Sequence, residues 1–307
     1  MKRYCILLCL TLMLAPGIQA YADPYINTET FKSEDFSSLV ISGPINVKIV
    51  TRDKTPWVKL EGDSQSLANV YAAVKNGTLY LSMNPAFIPS ENNHIIAIVN
   101  NCLITDLQYY GSGQVGGTGL TGTMVITATG SGTVTLLGNH LDLRTVNVGN
   151  SSNVHVLGID SNLLNVLDNS SGKVNLGGKM VLQDVTYNGS GPLSIYWVTS
   201  TDVKVEGNGT GRVFIAGVAN LLDVTLANHT WLDARYLRAK RAFVNTRDDA
   251  TADVWTRCTL GALATGTSSI NYYNNPGFAG NYMLPPGMVL NYSNLDANNL
   301  PMPAPPC

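Results

Sequence analysis

Turns built from small residues recur about every 20 residues along this chain, and this periodicity constrains the fold more than any other feature. The clearest copies are Gly111-Ser-Gly113, Gly130-Ser-Gly132, Gly189-Ser-Gly191 and Gly209-Thr-Gly211. The first apolar residue after each turn lies at position 115, 134, 154, 174, 193, 213, 232, 252 or 270, in steps of 18 to 20 residues. Nine copies at such a period are typical of a solenoid, in which each repeat stacks on its neighbour.

Two sets of apolar residues follow the same period. The first set comes directly after the turns, as the pairs Val134/Leu136, Val154/Val156, Val174/Leu176, Leu193/Ile195, Val213/Ile215 and Leu232/Ala234. The second set precedes the turns, at Ile126, Val146, Val166, Val185, Val203, Val224, Val244 and Leu263. Alternate residues of a strand point to the same side, so both sets predict columns of side chains stacked inside a tube. We therefore predict an all-β fold, a single-stranded parallel β-helix of right-handed winding, with about nine coils of about 20 residues and an N-terminal β-rich cap.

Composition and motifs outside the repeat divide the chain into further segments. Residues 1–22 are predicted to be a signal peptide and residues 23–35 an exposed leader. Residues 36–100 alternate apolar and polar positions without the repeat, and we expect this β-rich part to cap or begin the solenoid. The repeats occupy residues 101–276. Residues 277–307, rich in proline, are predicted to form a tail or a second cap.

The predicted signal peptide implies that the protein is exported. Lys2 and Arg3 give a charged start, residues 6–15 an apolar centre, and Ala20-Tyr-Ala22 a cleavage site of small residues. The apolar run is short of the ~20 residues that a membrane-spanning helix needs. We expect a mature chain without a transmembrane span, located in the periplasm, at the outer membrane or outside the cell.

Three cysteines would remain after cleavage: Cys102, Cys258 and Cys307. In an oxidising compartment two of them can form a disulfide, and the sequence does not choose the pair. A structural metal site is the poorer interpretation, because no two cysteines lie close in the chain. The four histidines are scattered, and we predict neither a metal nor another cofactor.

One residue at the start of most turns is asparagine or aspartate. The positions are Asn150, Asn169, Asn188, Asn208, Asn228 and Asp248, at steps of 19 or 20 residues. Such side chains bond to nearby backbone and tolerate left-handed dihedrals, so we favour a structural ladder along the turns. A row of ligand-binding asparagines is the alternative.

Candidate functional residues are few. The densest mixed charge surrounds the basic residues Arg235, Arg238, Lys240, Arg241 and Arg247, which could bind an anionic glycan or lipid headgroup; a solvated face with ion pairs is the simpler interpretation. Aspartates near them do not recur at one position of the repeat, which argues against a paired acid and base. No known catalytic motif is present, so we predict no catalytic residue. The formal net charge of −2 gives no indication of a nucleic-acid partner.

The order of these motifs resembles the head GIN domain family of auto-transporter adhesins. The similarity rests on Phe36, Leu39, Ile41 and Gly43 before Val47-Lys-Ile49, on the Asn76-Gly77 turn, on the serial Gly-Ser-Gly coils, and on the ending from Gly266 to Pro276. Asn275 departs from the glycine common in that ending, and the turns at 228–232 and 248–252 have lost their glycines. The resemblance implies an exported β-helical protein of Gram-negative envelopes, with adhesion suggested.

These observations together predict a non-enzymatic envelope protein that uses the solenoid surface for adhesion or recognition. Its partner would be a glycan, a host-surface molecule or an envelope component. Two alternatives remain open: an enzyme that acts on polysaccharide, since some β-helical proteins are such enzymes, and a purely structural periplasmic protein.

Overall fold

The computed structural model describes residues 27–53, 55–88 and 95–293. Within them the chain forms a β-solenoid of about ten turns of about 19 residues, which confirms the predicted fold class. The predicted signal peptide and Cys307 lie outside the described residues.

The N-terminal elements are β1 (Asn27–Lys32), β2 (Ser38–Ser42), β3 (Asn46–Val50), β4 (Trp57–Gly62), α1 (Ser64–Leu67), β5 (Val70–Lys75), β6 (Thr78–Met83), β7 (Ile96–Asn100) and β8 (Asp106–Tyr109). The later elements are β9 (Gln114–Ala128), β10 (Thr133–Asn150), β11 (Asn153–Ser170), β12 (Val174–Tyr187), β13 (Leu193–Gly207), β14 (Arg212–Leu226), β15 (Trp231–Thr246), β16 (Thr251–Ala264), β17 (Ser269–Tyr272), β18 (Phe278–Met283) and β19 (Met288–Asn291).

The N-terminal part contributes a coil as well as a cap. Strands β2 and β3 pair in parallel with β8 and β9 on one side and with β6 and β7 on the other. The chain therefore builds one coil, leaves it for the end of the rod, and returns at β8. At that end β4, β1 and β5 add antiparallel to the parallel strands and cover them. Strand β1 lies within the predicted leader, and the short helix α1 ends at Leu67, shortly before β5 begins at Val70.

The C-terminal part extends the solenoid beyond Pro276, where the sequence repeat stops. Strand β18 pairs in parallel with β16, and β19 pairs in parallel with β17. All six residues of β18 are exposed. The part of the predicted tail that the structure describes, up to Ser293, is thus a further partial coil at the open end of the rod.

The predicted apolar columns form the core. Every member of the first set is buried. In the second set the strand register links Val185 to Val205 and Val244 to Ala262. The column therefore passes through Val205 and Ala262 instead of Val203 and Leu263. Coils differ in length by one or two residues at their bulges. Residues chosen at a constant spacing in the sequence are therefore out of register with their neighbours at those coils.

The Gly-Ser-Gly turns need glycine because neighbouring coils approach each other closely there. A Cβ on Gly132 would overlap the carbonyl oxygen of Gly113 in the adjacent coil and the phenolic oxygen of Tyr109. The same Tyr109 hydroxyl donates to the Gly113 carbonyl at 2.6 Å, and Tyr187 repeats this arrangement with Gly191 at 2.5 Å. Burial raises the pKa of Tyr109 to about 12, so its hydroxyl remains a donor at neutral pH.

Turns that lack these glycines use a different backbone conformation. Asn150, Asn228 and Asp248 have φ of 56°, 56° and 60°. Asparagine and aspartate tolerate this left-handed region better than other residues with a Cβ. The loss of glycine at 228–232 and 248–252 is therefore compensated within the turn itself.

One carboxylate lies inside the tube. Asp168 is fully buried between Val148 and Tyr187 in an inward-facing column. Its Oδ1 accepts from the backbone N and the hydroxyl of Ser170, at 2.9 and 2.6 Å, whereas its Oδ2 has no partner among the described residues. Burial raises the pKa of Asp168 above its usual value, because hydrogen bonds from Ser170 offset the desolvation only in part.

We expect Gly132→Ala to destabilise the fold by about 2 kcal/mol, because the added methyl overlaps a fixed carbonyl of the neighbouring coil. Gly116→Ala is the matched control, since nothing lies within 4 Å of its added Cβ. Urea unfolding followed by circular dichroism measures both. Equal stability of the two variants would contradict the close-approach explanation.

We expect Asn228→Ala to lower the free energy of unfolding by about 1–2 kcal/mol, because alanine is strained at the left-handed φ of this turn. Asn228→Gly should cost less, since glycine relieves the strain and loses the side-chain hydrogen bonds alone. Asn208→Ala removes the hydrogen bond from Asn228 Nδ2 to the Asn208 side chain, at a position without positive φ. If it proved as costly as Asn228→Ala, hydrogen bonding would be the explanation instead of backbone conformation.

We expect Asp168→Asn to stabilise the protein at pH 7 relative to the wild type. A carboxyl whose folded pKa is raised contributes most stability below its unfolded pKa of 3.8, and this contribution is lost as pH rises through the folded pKa. The advantage of the variant should therefore shrink as pH falls towards 4. Urea midpoints measured across this range test the trend, with the exposed Asp223→Asn as control. A constant advantage at every pH would be inconsistent with titration of Asp168.

Candidate functional site

The five predicted basic residues do not form one patch. Arg235 lies just after the inward pair that opens β15, and its side chain is 34% exposed. Arg238 is buried at the following bend, at 7% exposed. Lys240 is half-buried, Arg241 is exposed on the strand that leads to the next turn, and Arg247 is exposed in that turn.

Their dispersal has a simple cause. A coil of about 19 residues wraps once around the rod, so residues 235 to 247 pass over more than one side of it. Side chains meet when they are about one coil apart in sequence, because the strands pair in parallel with the adjacent coil. Density of charge along the sequence is therefore a poor guide to a surface patch in this fold.

The predicted asparagine ladder is divided between two neighbouring columns of the turn. Asn169 is in register with Gly149, whereas Asn150 is in register with Ser170. All six side chains are exposed. Four hydrogen bonds join members of adjacent coils. Asn188 Nδ2 donates to Asn169 Oδ1 at 2.9 Å, Asn228 Nδ2 donates to Asn208 Oδ1 at 2.9 Å and to the Asn208 carbonyl oxygen at 3.1 Å, and Asn228 N donates to Asp248 Oδ2 at 3.1 Å. We propose that the row is structural, since these bonds connect turn to turn.

Two of the three cysteines expected in the mature chain, Cys102 and Cys258, lie in the described part of the structure. Cys102 has a free thiol, and Cys258 is disulfide-bonded. Among residues 27–53, 55–88 and 95–293 no group of three or more His, Cys, Asp or Glu is placed to hold a metal ion. In the same residues no helix is long and apolar enough to cross a membrane.

A cluster of paired charges and aromatic rings lies on one long side of the rod. We name this side the front face, and define it as the outward-pointing residues of the strand segment that follows the turn in each coil. Its columns include Thr135, His155, Asn175, Ser194, Phe214, Asp233, Asp253 and Asn271 in one row, and Arg212, Trp231, Thr251 and Ser269 in the next.

Asp233 is at the centre of this cluster. Arg235 donates to it with two nitrogens, Nε to Oδ1 at 2.9 Å and Nη2 to Oδ2 at 2.7 Å. Arg212, from the preceding coil, adds Nη2 to Oδ2 at 3.1 Å. The guanidinium of Arg212 also lies 3.5 Å from the ring centroid of Trp231 and 4.5 Å from that of Phe214. These contacts fix both arginines in place.

The electrostatics keep this carboxylate ionised. Burial alone would raise the pKa of Asp233, but the hydrogen bonds and charge of Arg235, with the charge of Arg212, outweigh it and hold the pKa below its usual value. Hydrogen bonding to Asp233 in turn raises the pKa of Arg235. A carboxylate that is ionised and held by two cations is suited to organising a surface, and unsuited to donating a proton.

A second buried carboxylate, Asp253, continues the cluster towards the C-terminal end. Asp253 is in register with Asp233 one coil earlier, so the expectation that the aspartates do not recur at one position of the repeat is wrong. Asp253 accepts from Trp231 Nε1 at 2.7 Å, from Asn271 Nδ2 at 2.8 Å and from the hydroxyl of Tyr273 at 3.3 Å. The Tyr273 ring stacks on Tyr292, with centroids 5.6 Å apart. Four successive coils are thereby linked by side-chain contacts on the front face.

Beside Asp233 the surface is concave. A cleft of about 280 Å³ is lined by Tyr196, Arg212, Phe214, Ile215, Ala216, Asp233, Arg235 and Tyr236. The two tyrosines are 42% and 45% exposed. Arg235 was named from the sequence, whereas Arg212 and Phe214 were missed. The signal that could have found them is the period itself, because Arg212 and Trp231 are 19 residues apart and in register.

A larger groove lies on the front face nearer the N-terminus. It measures about 540 Å³, and its lining includes Gly116, Gly117, Leu137, His155 and Leu157. Leu137 and Leu157 are about half exposed, at 49% and 54%. Glycines at 116 and 117 leave room beside these leucines, which makes the groove largely apolar.

Comparisons with solved structures find several proteins whose matches extend over most of this chain. A "putative adhesin" from Parabacteroides distasonis is 15% identical, with coverage of 88% of this chain and 98% of that one and a TM-score of 0.49. A "putative adhesin" from Bacteroides fragilis is 16% identical, with coverage of 88% and 98% and a TM-score of 0.34. One from Parabacteroides merdae is 14% identical, with coverage of 87% and 95% and a TM-score of 0.43. At these values the likenesses give no argument about function.

Comparisons of sequence are more decisive for one family. A search of curated proteins found no significant match. The family model described as "Putative auto-transporter adhesin, head GIN domain" matches residues 35–216 and 194–276. Because these matches extend over most of the chain, the protein belongs to the head GIN domain family.

Proposed function

We propose that this chain is an exported, non-enzymatic envelope protein that mediates adhesion by recognising a glycan, a host-surface molecule or an envelope component through its front face. The observation that carries the proposal is the exposed aromatic and guanidinium cluster around Asp233. Trp231, Tyr196 and Tyr236 are each at least 38% exposed, and exposed rings with a polar handle are typical of recognition surfaces.

The rigidity of the face supports recognition. The front face is built on stacked strands and not on long loops, so its side chains are held before a partner arrives. Arg212 is fixed between two rings and Arg235 by two hydrogen bonds. Binding then costs little ordering entropy, which favours a stable complex from a modest contact area.

The electrostatics favour binding over catalysis. Hydrolysis of a glycosidic bond requires one carboxyl that is protonated and another that is free to attack or to activate water. The pKa of Asp233 is held below its usual value by Arg235 and Arg212, against the effect of burial. Asp253 accepts three hydrogen bonds from Trp231, Asn271 and Tyr273.

We expect binding to be blocked when a bulky group is attached to the front face. Thr251→Cys places a thiol there, and Thr225→Cys places one at an exposed position of β14 in the strand segment that precedes a turn, away from the front face. Each variant, made with Cys102→Ser, is labelled with a polyethylene glycol maleimide and checked by mass spectrometry. Binding to intact host cells, matrix proteins and envelope fractions is then measured on coated beads.

The expected result is a loss of at least tenfold when the Thr251→Cys variant is labelled and little change when the Thr225→Cys variant is labelled. Protease treatment of intact producing cells should remove the protein if it is exposed on the surface. No saturable binding by the wild type to any of these materials would overturn adhesion and leave a structural role. Release of sugar fragments from polysaccharide would favour the enzyme instead.

A further inference from the structure

The strand register places two tyrosines on either side of an alanine in the front-face cleft. Tyr196 is in register with Ala216, and Ala216 is in register with Tyr236. Strands stack ~4.8 Å apart, so the two tyrosine Cα atoms are separated by two spacings, or ~9.6 Å. The half-buried Ala216 forms the floor between them, and all three residues line the cleft. We name this feature the tyrosine slot.

The width of the tyrosine slot selects the thickness of a guest. If the guest is a flat aromatic ring in contact with both tyrosine rings, the two tyrosine rings must be ~7–8 Å apart, because carbon atoms pack at about 3.5–4.0 Å. Apolar contacts at about 4.0–4.5 Å on both sides of a guest give ~8–9 Å. A chair-shaped sugar ring, whose C–H bonds project above and below its mean plane, suits the wider value. The wider value is the closer of the two to the ~9.6 Å between the tyrosine Cα atoms, so this spacing favours a pyranose over a nucleobase or an aromatic side chain.

One wall of the slot supplies fixed hydrogen-bond donors. Asp233 accepts hydrogen bonds from two nitrogens of Arg235 and from one nitrogen of Arg212. Because a guanidinium has five N–H donors, each arginine retains hydrogens for a ligand hydroxyl. Phe214, also in the lining, adds an apolar surface beside them. Apolar rings flanking a guest, with donors at its edge, match a sugar that has C–H faces and peripheral hydroxyls.

The local charge indicates which sugars fit. Arg212 and Arg235 face two carboxylates, Asp233 in direct contact and Asp253 nearby, whose charge also acts on Arg235. Two cations and two anions cancel, so the slot has no excess positive charge for an acidic sugar. We propose that the tyrosine slot binds an uncharged pyranose unit of a glycan between Tyr196 and Tyr236. This inference rests on the proposed recognition function of the front face and names its ligand class.

The test uses the full exported chain and a panel of neutral hexose and N-acetylhexosamine oligosaccharides. Affinity is measured by calorimetry for the wild type, Tyr196→Ala, Tyr236→Ala and Ala216→Leu. The last variant retains both rings and fills the floor of the slot. Tyr110→Ala is the matched control, since Tyr110 is similarly exposed, at 46%, but lies several coils away. Thermal unfolding confirms that each variant is folded.

We expect the wild type to bind at least one neutral oligosaccharide, and each of the three slot variants to lose at least tenfold in affinity. Tyr110→Ala should stay within twofold of the wild type. Binding that survives all three slot variants would overturn the slot while leaving recognition by the front face intact. Absence of binding to the neutral panel, or binding to acidic oligosaccharides alone, would overturn the ligand class, whereas the bead assay judges adhesion independently.

Discussion

Parallel hydrogen bonding between successive coils is the interaction on which the rest of this structure depends. It sets the spacing of ~4.8 Å between neighbouring strands, and it puts residues about one coil apart side by side. The buried columns, the tight turns and the front-face cluster are each consequences of that register. Where the backbones of two turns approach closely, as at Gly132, a glycine is needed. Where the turn adopts a left-handed backbone conformation, as at Asn228, an asparagine takes its place.

The same register explains how a chain without long loops builds a surface of specific chemistry. Asp233 binds Arg212 from the coil before it, and Trp231 binds Asp253 in the coil after it. No local segment contains the cluster. Successive coils each supply members, and the stacking of the strands assembles them into a rigid row that a partner can contact as a whole.

Much of this fold could be predicted from the sequence, because the repeat is marked by apolar residues. These residues have to point into the core, which determines the position of each strand in the coil. The paired residues after each turn, such as Val154 and Val156, were placed correctly. The coil formed by β2 and β3 was not recognised, because its neighbours on one side come from β6 and β7, later in the chain, and no constant period connects them. The cluster was found in part: Arg235 was named, but it was grouped with residues nearby in sequence, such as Arg241, instead of with Arg212 one coil earlier.

The most direct test of this account is the register of neighbouring coils in solution. Glu206 and Thr225 are exposed Cα partners in adjacent coils, and Asn245 is the partner of Thr225 in the next. Cysteines at 206 and 225 lie within the Cα separation of about 4.4–6.8 Å that a disulfide requires, whereas cysteines at 206 and 245 lie ~9.6 Å apart. With Cys102→Ser in both variants, mass spectrometry after mild oxidation should find the 206–225 bond and no 206–245 bond. A 206–245 bond, or failure of the 206–225 pair to close, would contradict the stacking on which every other conclusion rests.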